Sequence, residues 1–177
     1  MKFSEMKYER PDLAAVKDEL HALTERLKAA RDYAEAREAF LAHEAAYIHM
    51  ETQATLASVR HTIDTRDEFY DAEETFWNAA TPELDAYEDA WKGTMLESPF
   101  RKEFAAEYGD LMFINAEIAR KAFSPEIIPE SQQENELTQA YGKLIASAQI
   151  PFEGGVYTLS QLSPFKNDPD DARRLAA

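Results

Sequence analysis

The strongest chemical signal in the chain is His43-Glu44-Ala45-Ala46-Tyr47. A histidine, a glutamate and a second histidine four residues on would put two imidazoles on one helical face, within reach of one zinc ion, with the glutamate as general base. Here Tyr47 stands where the second histidine is needed. The four histidines, at 21, 43, 49 and 61, are separated by 22, 6 and 12 residues, so no two lie one helical turn apart. His43 and His61 also fall on an apolar seam, which favours core placement over metal ligation. Asp18-Glu19-Leu20-His21 supplies one aspartate variant of the paired motif of a di-iron carboxylate bundle, and nothing answers it.

Asp64, Asp67, Asp71 and Glu74 recur at 3-4-3 spacing, as a carboxylate stripe that could hold calcium or manganese weakly, or attract a cationic peptide. A solvated helix face is the simpler expectation, because oxygen-ligand calcium loops normally include glycine turns. No Gly-x-Ser-x-Gly, phosphate loop or Gly-x-Gly-x-x-Gly occurs. No catalytic and no metal-ligating residue is assigned, and the residues that touch substrate stay unknown.

The elements around these residues are mostly helical. Pro11 and Asp12 open a helix with Leu13, Val16, Leu20, Leu23 and Leu27 at 3-4-3-4 spacing. A longer helix from about Asp32 to about Ile63 keeps Tyr33, Ala36, Phe40, His43, Tyr47, Met50, Ala54, Ala57 and His61 on one side. Leu41, Ile48, Leu56, Val59 and Ile63 occupy its other sides, which predicts the central, wedged helix of a bundle. Thr65-Arg66-Asp67-Glu68 reads as a capping box. Thr81-Pro82, Ser98-Pro99 and Ser124-Pro125 each read as a hydroxyl cap before a first-turn proline, and so as helix starts. Phe152-Glu153-Gly154-Gly155-Val156-Tyr157 predicts a hairpin about a Gly-Gly turn, which needs support from neighbours. The expected fold is mostly α, an antiparallel helical array with a small β hairpin near the C-terminal end. Its expected parts are a helical region over 1–149, the hairpin and turn over 150–162, and over 163–177 the start of a helix that reads as truncated.

Composition narrows the classes further. The 177 residues carry 34 acidic and 19 basic side chains, a formal charge of −15, and residues 64–110 hold 14 of the acids against 4 bases. Such a surface repels phosphate, so no nucleic-acid partner is expected. The absence of cysteine rules out disulfides and thiolate metal sites and fits a cytoplasmic location, while no apolar run is long enough for a membrane span.

Several runs resemble one family. Met1 to Leu13, Ala54 to Glu73, Phe123-Ser124-Pro125-Glu126-Ile127-Ile128, Lys143 to Gly154 and Tyr157 to Leu162 are similar to bacterial oligoendopeptidase F proteins, zinc metallopeptidases related to thimet oligopeptidase. The resemblance implies the N-terminal, mostly helical portion of a larger cytoplasmic enzyme that hydrolyses short peptides in a deep channel. Its zinc ligands and general base would lie downstream, in a missing C-terminal catalytic portion, so no position here takes those roles. By itself this chain is expected to lack peptidase activity and zinc, and to self-associate or bind the absent portion through apolar surface. The alternative is a stand-alone helical interaction protein of the same ancestry.

Overall fold

In the computed structural model, which describes residues 2–177, helix α1 (Leu13–Lys28) begins at Asp12, whose side chain accepts from the backbone N–H groups of Ala14 and Ala15. Arg26 and Lys28 lie in its last turn, at the negative end of the helix dipole. Helix α2 (Tyr33–Ile63) is capped in the same way by Asp32, and α3 (Glu68–Glu97) by Asp67. These three helices pack on one another. Their apolar stripes meet in two clusters. One joins Leu27, Ala36, Ala39, Phe40, Trp91 and Met95, with Phe104 and Phe113 added from the next two helices. The other joins Leu20, Met50, Ala57, Trp77, Ala80 and Leu84. Early residues of α2 meet late residues of α3, and the reverse, so the pair runs antiparallel.

Helices α4 (Arg101–Tyr108) and α5 (Leu111–Ala122) pack on the C-terminal half of α3 through Phe104 and Phe113. Glu107 ties α4 to α2 by accepting from Tyr33 Oη at 2.5 Å and Arg37 Nε at 2.7 Å. A 3₁₀ turn at Pro125–Ile127, capped by Ser124, leads into α6 (Ile128–Ser147). Strands β1 (Ile150–Phe152) and β2 (Gly155–Tyr157) pair antiparallel, with Ile150 opposite Tyr157. Short helices α7 (Leu159–Leu162) and α8 (Asp171–Ala176) follow. The chain divides into two compact units, Met1–Gln133 and Glu134–Ala177. The expected mostly helical fold with one small antiparallel sheet is observed. Among the described residues, no helix is long and apolar enough to cross a membrane.

Local details differ from expectation. Thr81-Pro82 starts no helix: α3 runs through it, and Pro82 is buried in its interior. The apolar stripe of Trp77, Ala80, Leu84 and Trp91 is continuous across the proline, and its burial outweighs the helix hydrogen bond that proline cannot make. Close to that break, the carbonyl of Ala79 accepts from Gln132 Nε2 at 2.7 Å. Thr65 is not the cap of α3. Asp67 is, because its carboxylate reaches the N–H groups of Phe69 and Tyr70 at 3.0 and 3.2 Å. Ser98 accepts from Phe100 N, but α4 starts only at Arg101. Leu41, Ile48, Val59 and Ile63 of α2 are exposed, so that helix is covered by α1 and α3 and not on every side.

The hairpin turns at Glu153-Gly154, both at positive φ (44° and 78°), while Gly155 is already paired in β2. The left-handed backbone at the second turn residue suits glycine. A side chain at Gly155 would strike the Tyr157 ring, 2.7 Å from an ideal Cβ. Phe165 packs against Phe152 and Tyr157, each at 5.2 Å between ring centroids, and Arg173 binds Glu153 at 2.6 Å. The hairpin thus has the support that its small size demands.

Candidate functional site

The histidine that carries the zinc-like pattern lies in the core. His43 stacks flat on the indole of Trp91, with centroids 3.8 Å apart and planes within 1°. Its Nε2 is 3.1 Å from Glu88 Oε1, within ion-pair range but out of line for a hydrogen bond. His61 is also buried, with Nε2 3.3 Å from Asp71 Oδ1. His21 and His49 are exposed, as are Asp18 and Glu19. Zinc needs three or four converging nitrogen, sulfur or oxygen donors. Among the described residues, no three His, Cys, Asp or Glu side chains converge in this way. The described residues of this chain do not fit zinc.

The carboxylate stripe is neither a metal site nor a uniformly solvated face. Asp64 and Asp67 lie outside the helix, so the 3-4-3 spacing does not continue on one surface. Asp64 pairs with Arg66 at 2.9 Å, which holds its carboxyl below the usual range, and Asp67 caps α3. Asp71 faces His61, and Glu74 accepts from Ser58 at 3.3 Å. Each acid has a local structural partner.

A second buried acid escaped the search for motifs. Glu73 of α3 receives Arg10 through Nε at 2.8 Å and NH2 at 2.7 Å, and also accepts from the Tyr8 hydroxyl. Arg10 holds the Glu73 carboxyl below its usual range against the opposing effect of burial. Burial, reinforced by the bond to Glu73, pushes the Tyr8 phenol up to about 12. Trp77 Nε1 donates to Tyr8 Oη at 3.1 Å, Glu9 N donates to Gln53 at 2.9 Å, and Arg60 donates to the Met6 carbonyl. The N-terminal arm is therefore fastened across α2 and α3. The sequence signal was available: Tyr70, Glu73, Trp77, Ala80, Leu84, Glu88 and Trp91 share one helical stripe, with a glutamate at two apolar positions.

The chain also leaves two apolar stripes uncovered. Leu111, Ile114 and Ile118 stand on the outer side of α5, exposed by 65, 50 and 60 %. Leu137, Tyr141 and Leu144 form a similar stripe on α6, a helix with no buried residue. Stripes at this spacing are surfaces for contact rather than reacting groups. A depression of about 210 Å³ between α3 and α5 is lined by Asp85, Asp89, Lys92, Phe123 and Ile127.

The helical layer matches a known domain. The family model described as the peptidase M3 N-terminal domain matches residues 3–123. The chain belongs to that family. Among solved structures, a protein described as an oligoendopeptidase F is 39 % identical over 99 % of this chain, with a TM-score of 0.94. PZ peptidase A, solved with an inhibitor, is 37 % identical over 98 % of the chain (TM-score 0.93). A protein described as an oligoendopeptidase F from Bacillus anthracis str. Ames is 32 % identical over 99 % (TM-score 0.93). The chain spans 31–32 % of the length of these relatives. Comparison with curated protein sequences gives no match. The family resemblance read from the runs is thus established.

Proposed function

We propose that this chain is the non-catalytic N-terminal portion of a cytoplasmic, zinc-dependent oligoendopeptidase, and that its helices form one wall of the channel through which short peptides reach the metal. One observation carries the reading. The chain matches a peptidase N-terminal domain over residues 3–123, spans about a third of relatives named as peptidases, and its described side chains do not fit zinc. Zinc, when bound, polarises the scissile carbonyl and activates water. Its ligands and base would belong to further polypeptide, and the uncovered stripes of α5 and α6 suit contact with that polypeptide. In this role α1, α2 and α3 exclude folded proteins by size.

The test uses the full-length enzyme carrying Leu20→Ala and Leu23→Ala, each expected to cost about 2–5 kcal/mol of local packing. Cleavage of a folded protein should rise relative to cleavage of a short peptide. An unchanged ratio, together with a measured loss of stability, would remove the wall from the account. The same exposed stripes also fit a second reading, a helical interaction protein that binds a partner without hydrolysing it. The reading frame beyond Ala177 separates the two: a downstream His-Glu-x-x-His supports the peptidase, and a stop codon supports the interaction protein.

A further inference from the structure

Between the two apolar clusters, α2 and α3 meet through polar side chains. His43 is 1 % exposed and Glu88 is 7 % exposed, and His43 Nε2 lies 3.1 Å from Glu88 Oε1, at ion-pair distance without a hydrogen bond. On the other side of the imidazole, Nδ1 is 3.9 Å from Glu44 Oε1. Trp91 covers one face of the ring, and Tyr47 stacks parallel to it at 6.2 Å. Lys92 stands 3.8 Å from the second oxygen of Glu88. Glu44 and Glu88 are thus the charged groups acting on the ring, with Lys92 behind Glu88.

A buried carboxylate is costly without an opposite charge close by. With a neutral imidazole, the cation nearest to Glu88 would be Lys92, at the longer distance. An imidazolium neutralises Glu88 across the helix pair and also lies over the indole of Trp91, where a cation is favoured. We propose that His43 and Glu88 form a proton-operated clamp between α2 and α3, closed while the imidazole carries both protons and slack once one has left.

Burial on its own would lower the proton affinity of His43, but Glu44 and Glu88 outweigh it and the net shift is upward from 6.5. A group whose affinity is raised by folding stabilises fully below its unfolded value. That stabilisation is lost as pH rises through the folded value. The clamp is therefore closed in weak acid and opens on the alkaline side of an ordinary histidine.

The imidazole resonances of the protein, followed by NMR from about pH 5 to about pH 9, test this directly. His43, assigned by its loss in His43→Gln, should titrate above the ordinary histidine value of 6.5. Glu88→Gln should bring its titration below 6.5, because burial then outweighs Glu44 alone. The urea midpoint of the unchanged protein should fall as pH rises through the His43 titration, and that fall should vanish in His43→Gln. A His43 that stays neutral throughout, or that titrates at or below 6.5, overturns the clamp. That comparison needs no folded Glu88 variant. A folded Glu88→Gln protein with an unmoved His43 titration overturns it equally.

Discussion

Arg10→Met would show how much the N-terminal arm contributes to the helical layer. The substitution keeps an apolar stem over Phe76, where the guanidinium now sits 4.6 Å from the ring centroid, and deletes both bonds to Glu73. Removing one partner of a fully buried pair costs about 3–5 kcal/mol, and an exposed pair contributes at most about 1 kcal/mol. The Glu73 side chain is 5 % exposed and that of Arg10 46 %, so the pair lies between these limits. The expected loss is about 2–3 kcal/mol. With a urea slope of about 2 kcal/mol/M, the midpoint should drop by roughly 1–1.5 M. Tryptophan emission is a suitable assay, because Trp77 donates to Tyr8 within the same network.

The sign with pH follows from Glu73. Its folded-state affinity for a proton is lowered, so its stabilisation is present above the ordinary value of 4.5 and fades as pH falls through the depressed one. The gap between Arg10→Met and the unchanged protein should therefore close in acid. Arg10→Met/Glu73→Met should recover at least half of the loss, since no buried charge is then left unpaired. A single variant within about 0.5 kcal/mol of the parent at neutral pH, or a gap that persists in acid, would refute the reasoning.

Three further substitutions test the corrected helix boundaries. Asp67→Ala should cost about 1 kcal/mol by removing the cap of α3, while Thr65→Ala should cost less than about 0.5 kcal/mol; the reverse order in urea unfolding would restore Thr65 as the cap. Pro82→Ala should raise the melting temperature by about 2–4 °C, because the roughly 3 kcal/mol helix penalty of proline exceeds the burial its ring contributes. A lowered melting temperature would mean that the packing of Pro82 matters more than the missing hydrogen bond.

The fold was legible because its helices obey the simplest rule, apolar residues at three- and four-residue spacing. Leu13, Val16, Leu20, Leu23 and Leu27 placed α1 within a residue, and Asp12 and Asp32 marked two starts correctly. Local signals misled where tertiary contact overrode them. Thr81-Pro82 has the form of a helix start, but the buried stripe on both sides keeps one helix whole. The many-sided apolar character of α2 predicts a helix wedged between neighbours, yet Ile48 and Ile63 face outward. Neither the pairing of Arg10 with Glu73 nor that of His43 with Glu88 could be read from spacing, since each joins groups at least 45 residues apart. The presence of Glu73 and Glu88 on an apolar seam was the trace they left.

The polar layer at His43 has a mechanical consequence. Helices α2 and α3 hold 31 and 30 residues, two beams of roughly 45 Å each at about 1.5 Å per residue. They are glued by hydrocarbon toward both ends and riveted by charge in between. Fraying that begins at the linker joining α1 to α2 disrupts the first patch of glue and then meets the rivet, where further separation would strand a carboxylate. The far patch can stay shut meanwhile, so the plank can lift at one edge without coming apart along its length.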